Sequence, residues 1–281
     1  MTLDSWVQNG EARLRGGPHP ERARRDAEVL LLHLLQRDRV FLITHPETKL
    51  SAEGVVRYYA LIERRLGGEP IQYITGETEF YGLPLEVNRA VLIPRPETEH
   101  LVEKVLALAV NFKNPRIVDV GTGSGAIAVA LAHQLPGAQI TAIDVSAAAL
   151  DVARGNAELN GVAGRIRFFE GDLLTPVAGE EFEIVVSNPP YVAESDRESL
   201  AVEVRYYEPA LALFAGEGLD VYRRLIPDAR RVLAAGGILA MEIGCGQDSA
   251  VGGLLADASY GEIEFTTDLQ GILRVVSARR G

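Results

Sequence analysis

The sequence predicts an α/β protein in which a small helical domain precedes a doubly wound, mostly parallel sheet. Two observations lead to this prediction. Residues 1–66 lack strand-like alternation and contain amphipathic helical patterns, whereas from Arg95 onward short apolar runs alternate with helical patterns. Such alternation is typical of a parallel sheet covered by helices on both faces. With 281 residues, 47% of them hydrophobic, the chain is long enough to form two cores.

The helical domain is predicted from two amphipathic segments, residues 23–36 and 52–66. Ser51 is suited to cap the second helix, and the glycines at 67 and 68 are suited to end it. We assign residues 1–70 to this domain.

A short β-hairpin is predicted next. Between residues 71 and 91, β-prone residues alternate and are interrupted at Thr75-Gly76 and again at residues 81–84. We assign residues 71–94 to this linker. Pro94 and Pro96 then mark the start of the third segment, residues 95–281, and flank Arg95 in a rigid stretch that we expect to line a substrate site.

The third segment contains the strands of the main sheet. Apolar, β-prone runs predict strands near 116–120, 139–143, 165–169, 182–187, 238–243, 262–266 and 272–277. Open α/β sheets bind ligands beyond the carboxyl ends of their strands. The residues that follow these strands are therefore the candidates for a functional site.

A glycine-rich turn follows the first of these strands and precedes an alanine-rich helical pattern. Glycines allow the backbone to approach a ligand closely, and the start of a helix offers free N–H groups. We assign the binding of a polar cofactor group to Gly121, Thr122, Gly123, Ser124 and Gly125. A tight strand-to-helix connection without a ligand is the alternative.

Acidic residues end the next two strands. Asp144 lies at the distance from the glycines expected of a carboxylate that binds ribose hydroxyls. It could instead cap the following helix, but Ser146 is itself a good cap, which would leave the carboxylate of Asp144 free. Asp172 could reach an adenine amino group, and Leu173 could pack on the ring. Spacing alone does not separate a dinucleotide site from an S-adenosylmethionine site.

The fourth strand is followed by Asn188, Pro189, Pro190 and Tyr191. The prolines carry no N–H, so this stretch offers an amide side chain and outward carbonyls as acceptors for a planar NH2 group. Tyr191 adds a flat face for a planar substrate. We predict all four as substrate-binding, and Asn188, Pro189 and Tyr191 as catalytic. The alternative is an ordinary exit from a strand, where asparagine and proline are common.

These motifs, taken in order, carry a family resemblance. The glycine turn, Asp144, Asp172 and the 188–191 tetrapeptide resemble those of class I S-adenosylmethionine-dependent methyltransferases that act on a planar nitrogen. Residues 68–76, 79–82, 91–99, 207–213 and 236–244 are similar to segments of the release-factor glutamine N5-methyltransferases. The similarity extends along nearly the whole chain.

The resemblance implies a seven-stranded, Rossmann-like class I methyltransferase sheet whose last two strands form an antiparallel edge. It implies S-adenosylmethionine as the cofactor, with Asn188 also contacting it. The implied substrate is the glutamine of the Gly-Gly-Gln loop of class I peptide-chain release factors, whose N5-methylation modulates translation termination. The N-terminal helical domain would recognise this substrate. Leu173 stands where many relatives have an aromatic residue.

Composition narrows the classes of partner and site. The net charge of −11 argues against broad binding of nucleic-acid phosphates and favours a basic protein partner. The single Cys245 excludes an internal disulfide, and no Cys and His spacing predicts a metal site. The sequence shows neither a signal peptide nor an apolar stretch of membrane-spanning length, so we expect a cytoplasmic monomer that does not bind membranes.

Two other hypotheses stay open. A DNA or RNA adenine methyltransferase would use the same tetrapeptide on a flipped base. The acidic charge and the lack of a separate basic domain argue against it. A non-enzymatic module that only binds the cofactor is the third hypothesis, and a test for any methyl transfer distinguishes it.

Overall fold

The computed structural model describes all residues, Met1–Gly281, and the chain divides into two compact units. The first unit comprises Met1–Gly76 and Leu200–Tyr207, and the second comprises Glu77–Ser199 and Glu208–Gly281. The division therefore falls at Gly76 rather than at residue 70, and the hairpin is part of the second unit rather than a separate linker.

Helices and strands are numbered along the chain. The helices are α1 (Leu3–Leu14), α2 (Ala23–Leu35), α3 (Arg39–Thr44), α4 (Ala52–Leu66), α5 (Ile71–Thr75), α6 (Glu99–Ala109), α7 (Ala126–Gln134), α8 (Ala147–Leu159), α9 (Val202–Tyr207), α10 (Ala210–Leu213), α11 (Asp220–Val232) and α12 (Asp248–Asp257). The strands are β1 (Glu77–Phe80), β2 (Leu83–Glu86), β3 (Arg116–Val120), β4 (Gln139–Asp144), β5 (Ile166–Glu170), β6 (Phe182–Ser187), β7 (Leu233–Glu242), β8 (Tyr260–Thr267) and β9 (Leu273–Arg280).

The first unit is helical, as predicted. Both predicted helices are confirmed as α2 and α4, and the hydroxyl of Ser51 caps α4 by accepting from the Gly54 N–H at 3.0 Å. The expectation of a strand from residue 71 is wrong, because Ile71–Thr75 forms α5. Pro70 precedes this helical turn, and Gly76 ends it with a φ of 81° that suits glycine.

Tyr58 lies at the centre of the core of the first unit. Its side chain is fully buried, and the single proton of its hydroxyl is shared between the carbonyl oxygens of Trp6 and Ala27, at 3.3 and 3.2 Å. Gly10 on α1 packs so closely on this hydroxyl that a Cβ would lie 2.3 Å from it. The absence of a side chain at Gly10 thus allows α1 to pack closely against Tyr58 of α4.

A buried arginine ties the segment Leu200–Tyr207 into the first unit. Arg65 is 2% exposed and donates to Asp26 at 2.6 Å and to Glu203 at 2.9 Å. The Tyr207 hydroxyl also donates to the Gly67 carbonyl at 2.8 Å. Sequence reasoning placed Leu200–Tyr207 in the sheet-bearing segment, yet its contacts belong to the helical unit.

The second unit contains a seven-stranded sheet with the order β5-β4-β3-β6-β7-β9-β8. Strands β3 to β7 are parallel, and β9 runs antiparallel to both β7 and β8. All seven predicted strands are present, and the predicted antiparallel edge is confirmed. The fold class is therefore α/β, with a separate two-stranded hairpin formed by β1 and β2.

Successive residues of β3 point to opposite faces of the sheet and enter two separate cores. Ile117 packs with residues of α6, α7 and α8, and Val118 packs with residues of α11 and α12. The strand order reverses between β3 and β6, which places a crevice beyond their carboxyl ends. None of the helices has both the length and the apolar character needed to cross a membrane.

Candidate active site

The glycine-rich turn lies between β3 and α7, at the carboxyl edge of the sheet. Gly121, Gly123 and Gly125 all have positive φ values, of 72°, 55° and 79°. A Cβ added at Gly121 or Gly123 would meet no atom within 4 Å, whereas one at Gly125 would lie 3.0 Å from the Cβ of Ala153. Two of the glycines thus leave open space beside the backbone, and the third allows α7 to pack closely against α8.

Asp119, on β3 just before this turn, is fully buried and was not predicted as a site residue. Its Oδ2 accepts from the Thr122 hydroxyl at 2.6 Å, and its Oδ1 has no hydrogen-bond partner. Burial raises the pKa of Asp119 to about 7, although the hydrogen bond from Thr122 lowers it; the charge of Asp144 raises it further. An unpaired buried acceptor beside an open turn can receive a donor or a positive charge from a ligand.

Asp144 lies at the end of β4, as predicted, but its carboxylate is not free. Oδ2 accepts from the Gly123 N–H at 2.8 Å, and Oδ1 accepts from the Ser146 N–H at 2.9 Å. Ser146 itself caps α8, accepting from the Ala149 N–H at 3.2 Å, so the predicted cap is confirmed. Because a carboxylate oxygen can accept two hydrogen bonds, each oxygen of Asp144 keeps one acceptor position.

Asp172 and Leu173 follow β5 at the same edge of the sheet, where the Gly171 N–H donates to the Asp144 carbonyl at 3.0 Å. Asp172 is exposed and forms an ion pair with Arg224, which is also exposed. Leu173 is half-buried and has a φ of 50°. The ion pair is exposed to water and weakly held, so Asp172 can exchange Arg224 for another donor.

Asn188 follows β6 and begins a chain of hydrogen bonds. Its Nδ2 donates to the Thr98 hydroxyl oxygen at 3.1 Å. That hydroxyl donates to Oε2 of Glu242 at 2.6 Å, and the Tyr191 hydroxyl donates to Oε1 of the same carboxylate at 3.1 Å. The predicted residues Asn188 and Tyr191 are thereby brought together through two residues, Thr98 and Glu242, that sequence reasoning did not assign to the site.

Tyr191 is held at both its ring and its backbone. Burial raises the pKa of its hydroxyl well above the usual range, and the nearby carboxylate of Glu242 raises it further, so the hydroxyl stays protonated as a donor. Its carbonyl accepts from the side-chain amide of Gln247 at 3.0 Å. Pro189 is buried and Pro190 is half-buried. The tetrapeptide is therefore a fixed feature rather than a loose exit from a strand.

Arg95 forms an ion pair with Glu208, and its Nη2 lies 2.7 Å from both carboxylate oxygens. The side chain of Glu208 is 1% exposed, whereas that of Arg95 is 32% exposed. The charges of Arg95 and Arg274 both act on Tyr191 by lowering the pKa of its hydroxyl. The Arg95 guanidinium is thus held by Glu208 but remains partly accessible to solvent, and it lies near Tyr191 of the predicted tetrapeptide.

Sequence comparison identifies the family. Residues 5–76 match the PrmC N-terminal domain, and residues 98–218 match the methyltransferase small domain. The chain is 42% identical over 282 residues to a protein of Koribacter versatilis named release factor glutamine methyltransferase, covering 100% of this chain and 99% of that protein. A protein of Moorella thermoacetica with the same name is also 42% identical, with the same coverage.

The chain belongs to the release factor glutamine methyltransferase family. It is therefore a methyltransferase, and the resemblance inferred from its motifs is confirmed. The matched N-terminal domain corresponds closely to Met1–Gly76, the larger of the two segments of the helical unit.

Solved structures support the fold of this family member. A methyltransferase from Pyrococcus furiosus superposes with a TM-score of 0.53 at 18% identity, covering 72% of this chain and 90% of that one. The hMettl16 catalytic domain, solved with an RNA hairpin, gives a TM-score of 0.58 at 19% identity, covering 81% and 82%. At these identities the likeness establishes the class I methyltransferase fold alone.

The open glycine turn of this release factor glutamine methyltransferase family member fits a methyl donor that carries amine and hydroxyl groups. Gly121 and Gly123 leave room for the donor, while Asp119 and Asp144 offer acceptors on either side of the turn. Thr98 and Glu242 lie within segments that the family resemblance covered. Their role depends on contacts between distant parts of the chain, which local spacing does not reveal.

Proposed function

We propose that this protein transfers the methyl group of S-adenosylmethionine to the side-chain amide nitrogen, N5, of a glutamine. The substrate would be the Gly-Gly-Gln loop of class I peptide-chain release factors. The observation that carries this proposal is the orientation of the Asn188 carboxamide. Because its Nδ2 donates to Thr98, its Oδ1 is left as the acceptor for a planar NH2 group.

The residues that would hold the cofactor line the carboxyl edge of β3, β4 and β5. The glycine turn, residues 121–125, would accommodate its polar end, and Asp144 would accept from the ribose hydroxyls. Asp172 would accept from the adenine amino group after release from Arg224, with Leu173 against the ring. Asp119 offers its unpaired Oδ1 to the positive charge of the ligand.

The chemical difficulty lies in the substrate, because the lone pair of an amide nitrogen is delocalised into its carbonyl. When bound, S-adenosylmethionine would supply an electrophilic methyl group, with the bond from carbon to sulfur breaking as the bond from carbon to nitrogen forms. Asn188 Oδ1 and the Pro189 carbonyl would accept from the substrate NH2, orient it, and stabilise the positive charge that develops on nitrogen. The substrate nitrogen then loses one proton to water.

Positioning would provide much of the rate enhancement. Holding reacting groups in an aligned arrangement lowers a barrier by as much as about 7–11 kcal/mol in intramolecular systems. Tyr191, fixed by Glu242 and Gln247, would form one wall of the slot, and Arg95 would line its rim. We further propose that the protein acts in the cytoplasm as a monomer, without direct binding to nucleic acid.

A methylation assay tests this function. Labelled S-adenosylmethionine is offered with a purified class I release factor, with the same factor carrying Gln→Ala in its Gly-Gly-Gln loop, and with unmethylated DNA. We expect label only in the unmodified factor, mapped by mass spectrometry to that glutamine. Label in DNA adenine, with none in protein, would support the adenine methyltransferase hypothesis instead. No transfer to any substrate would contradict both.

A further inference from the structure

A single carboxylate, that of Glu242, connects the two polar side chains of the 188–191 tetrapeptide. Strands β6 and β7 are parallel neighbours in which Ser187 pairs with Met241, so Asn188 and Glu242 are the next residues at adjacent strand ends. Thr98, from the turn before α6, lies between them and joins Asn188 to Glu242 through its hydroxyl.

Burial raises the pKa of Glu242, and the hydrogen bonds from Thr98 and Tyr191 lower it. With Glu242 ionised, the number of available protons fixes the direction of this chain. A threonine hydroxyl has one proton to donate. At 2.6 Å from Oε2 of Glu242, the Thr98 hydroxyl commits that proton to the carboxylate. Its oxygen can then only accept from Asn188, so Nδ2 must face Thr98 and Oδ1 must face away.

Burial of the Glu242 carboxylate is unfavourable for the stability of the fold. Glu242 is 2% exposed, and no arginine or lysine pairs with it directly; its oxygens are held by the hydroxyls of Thr98 and Tyr191. Burying a carboxylate with only hydroxyl partners destabilises a fold relative to an apolar side chain. The presence of this buried carboxylate is explained if the function of the protein requires a hydrogen-bond acceptor at position 242.

We propose that Thr98 and Glu242 are positioning residues that fix the Asn188 carboxamide with its oxygen toward the substrate. The inference rests on the proposed function and assigns to it two residues beyond the tetrapeptide. Without the acceptor at Glu242, the Thr98 hydroxyl is free to donate to Oδ1 of Asn188. The carboxamide can then turn, so that its NH2 group faces the NH2 group of the substrate glutamine. No hydrogen bond can form between them, because both groups are donors.

Thr98→Val tests the link directly, because valine has nearly the shape of threonine but cannot relay a hydrogen bond. At saturating S-adenosylmethionine and release factor, we expect kcat to fall about 10- to 100-fold, which is less than the roughly 10²- to 10³-fold loss on removing a hydrogen bond to the reacting group itself, because Thr98 acts through Asn188. The dissociation constant for S-adenosylmethionine, measured by calorimetry, should stay within about two-fold of that of the unmodified protein, since a group that acts only at the reacting nitrogen leaves cofactor affinity unchanged.

Three further variants make the result specific. Thr98→Ser keeps the hydroxyl and should retain most of the activity. Thr141→Val changes another buried threonine of the second unit, on β4, and should leave kcat unchanged. Glu242→Gln keeps the shape of the side chain but replaces one acceptor oxygen with a donor, so it should lower kcat as Thr98→Val does. Thermal unfolding of each variant separates a loss of positioning from a loss of fold.

The decisive control is a double-mutant cycle with Asn188→Ala. If Thr98 acts through Asn188, adding Thr98→Val to Asn188→Ala should lower kcat no further. A folded Thr98→Val protein with unchanged kcat, or an additive effect in the double variant, would overturn the inference while leaving the proposed function intact. If the unmodified protein transfers no methyl group to the release factor, the proposed function fails, and the inference fails with it.

Discussion

The carboxylate of Asp144 holds the glycine-rich turn in place by accepting from the backbone N–H of Gly123 at 2.8 Å. The residue that ends β4 therefore helps shape the turn that follows β3. Gly123 adopts a φ of 55° at this contact, which joins two parts of the proposed cofactor site that the sequence presents as separate motifs.

The first prediction concerns this contact. Asp144→Ala should weaken S-adenosylmethionine binding by roughly 10- to 100-fold, because hydrogen bonds to a charged acceptor contribute about 1.5–3 kcal/mol. Turnover at saturating cofactor should change less. Calorimetric titration measures the affinity, and Asp151→Ala, an exposed aspartate on α8, is the matched control. An Asp144→Ala protein with undiminished affinity would refute the assignment of Asp144 to the ribose.

A second prediction uses the open space at the glycine turn. Gly121→Ala places a methyl group where no protein atom lies within 4 Å, at a φ of 72°. Gly161 has a φ of 69° and the same open surroundings in an exposed turn after α8, so Gly161→Ala matches the backbone strain. Both variants should lose a similar stability, about 1 kcal/mol, because alanine is disfavoured at positive φ.

Only the Gly121 variant should also lose cofactor affinity, because its methyl group occupies space beside the turn. Denaturant unfolding and cofactor titration on the two proteins provide this comparison. Equal affinities in the two variants would show that the space at Gly121 is not part of the cofactor site.

A third prediction addresses the reacting amide. Asn188→Ala should lower turnover by roughly 10²-fold or more, because it removes the acceptor that we propose to stabilise charge developing on the substrate nitrogen. Cofactor affinity should be nearly unchanged, because that loss is confined to the transition state. Steady-state kinetics with release factor, together with a binding titration, distinguish the two effects. Wild-type turnover in this variant would remove Asn188 from the mechanism.

The fourth prediction follows from the buried carboxyl of Asp119. Its pKa is about 7 in the folded protein against 3.8 ordinarily, so the folded state binds more protons than the unfolded state between these values. Stability therefore falls as pH rises through this window. The asparagine of Asp119→Asn does not titrate. Between pH 5 and pH 8, the free energy of unfolding should therefore decrease less in this variant than in the unmodified protein.

Denaturant unfolding of both proteins at the two pH values measures this difference. Comparison with the unmodified protein cancels the contributions of the other titrating groups, provided that both proteins unfold in a single transition. An identical pH dependence in the two proteins would show that Asp119 titrates as an ordinary exposed aspartate.

Much of the fold follows from local sequence. The parallel strands β3, β4 and β6 are short apolar runs rich in β-branched residues, and such runs predict buried strands. Helix α4 was predicted from its periodicity and from Ser51 as its cap. The same local reasoning failed at Ile71–Thr75, whose β-prone residues form α5 because Tyr73 and Ile74 are buried there.

Site residues that belong to a local sequence motif could be predicted, whereas contacts between residues far apart in the chain could not. Thr98 and Glu242 are 144 positions apart, and only the sheet register brings Glu242 beside Asn188. The hydrogen bonds on Asp144 were missed because they depend on the backbone conformation of the neighbouring turn. The unpaired Oδ1 of Asp119 likewise follows from complete burial rather than from residue type.

The return of Leu200–Tyr207 to the helical unit has a consequence for biosynthesis. Arg65 leaves the ribosome 138 residues ahead of Glu203, its partner at 2.9 Å. Domains ordinarily fold from the N-terminus as synthesis proceeds, but this unit can complete its contacts only after β6 has been made. A protease cut at Gly76 would therefore release an N-terminal fragment in which a buried arginine has lost one of its two carboxylates.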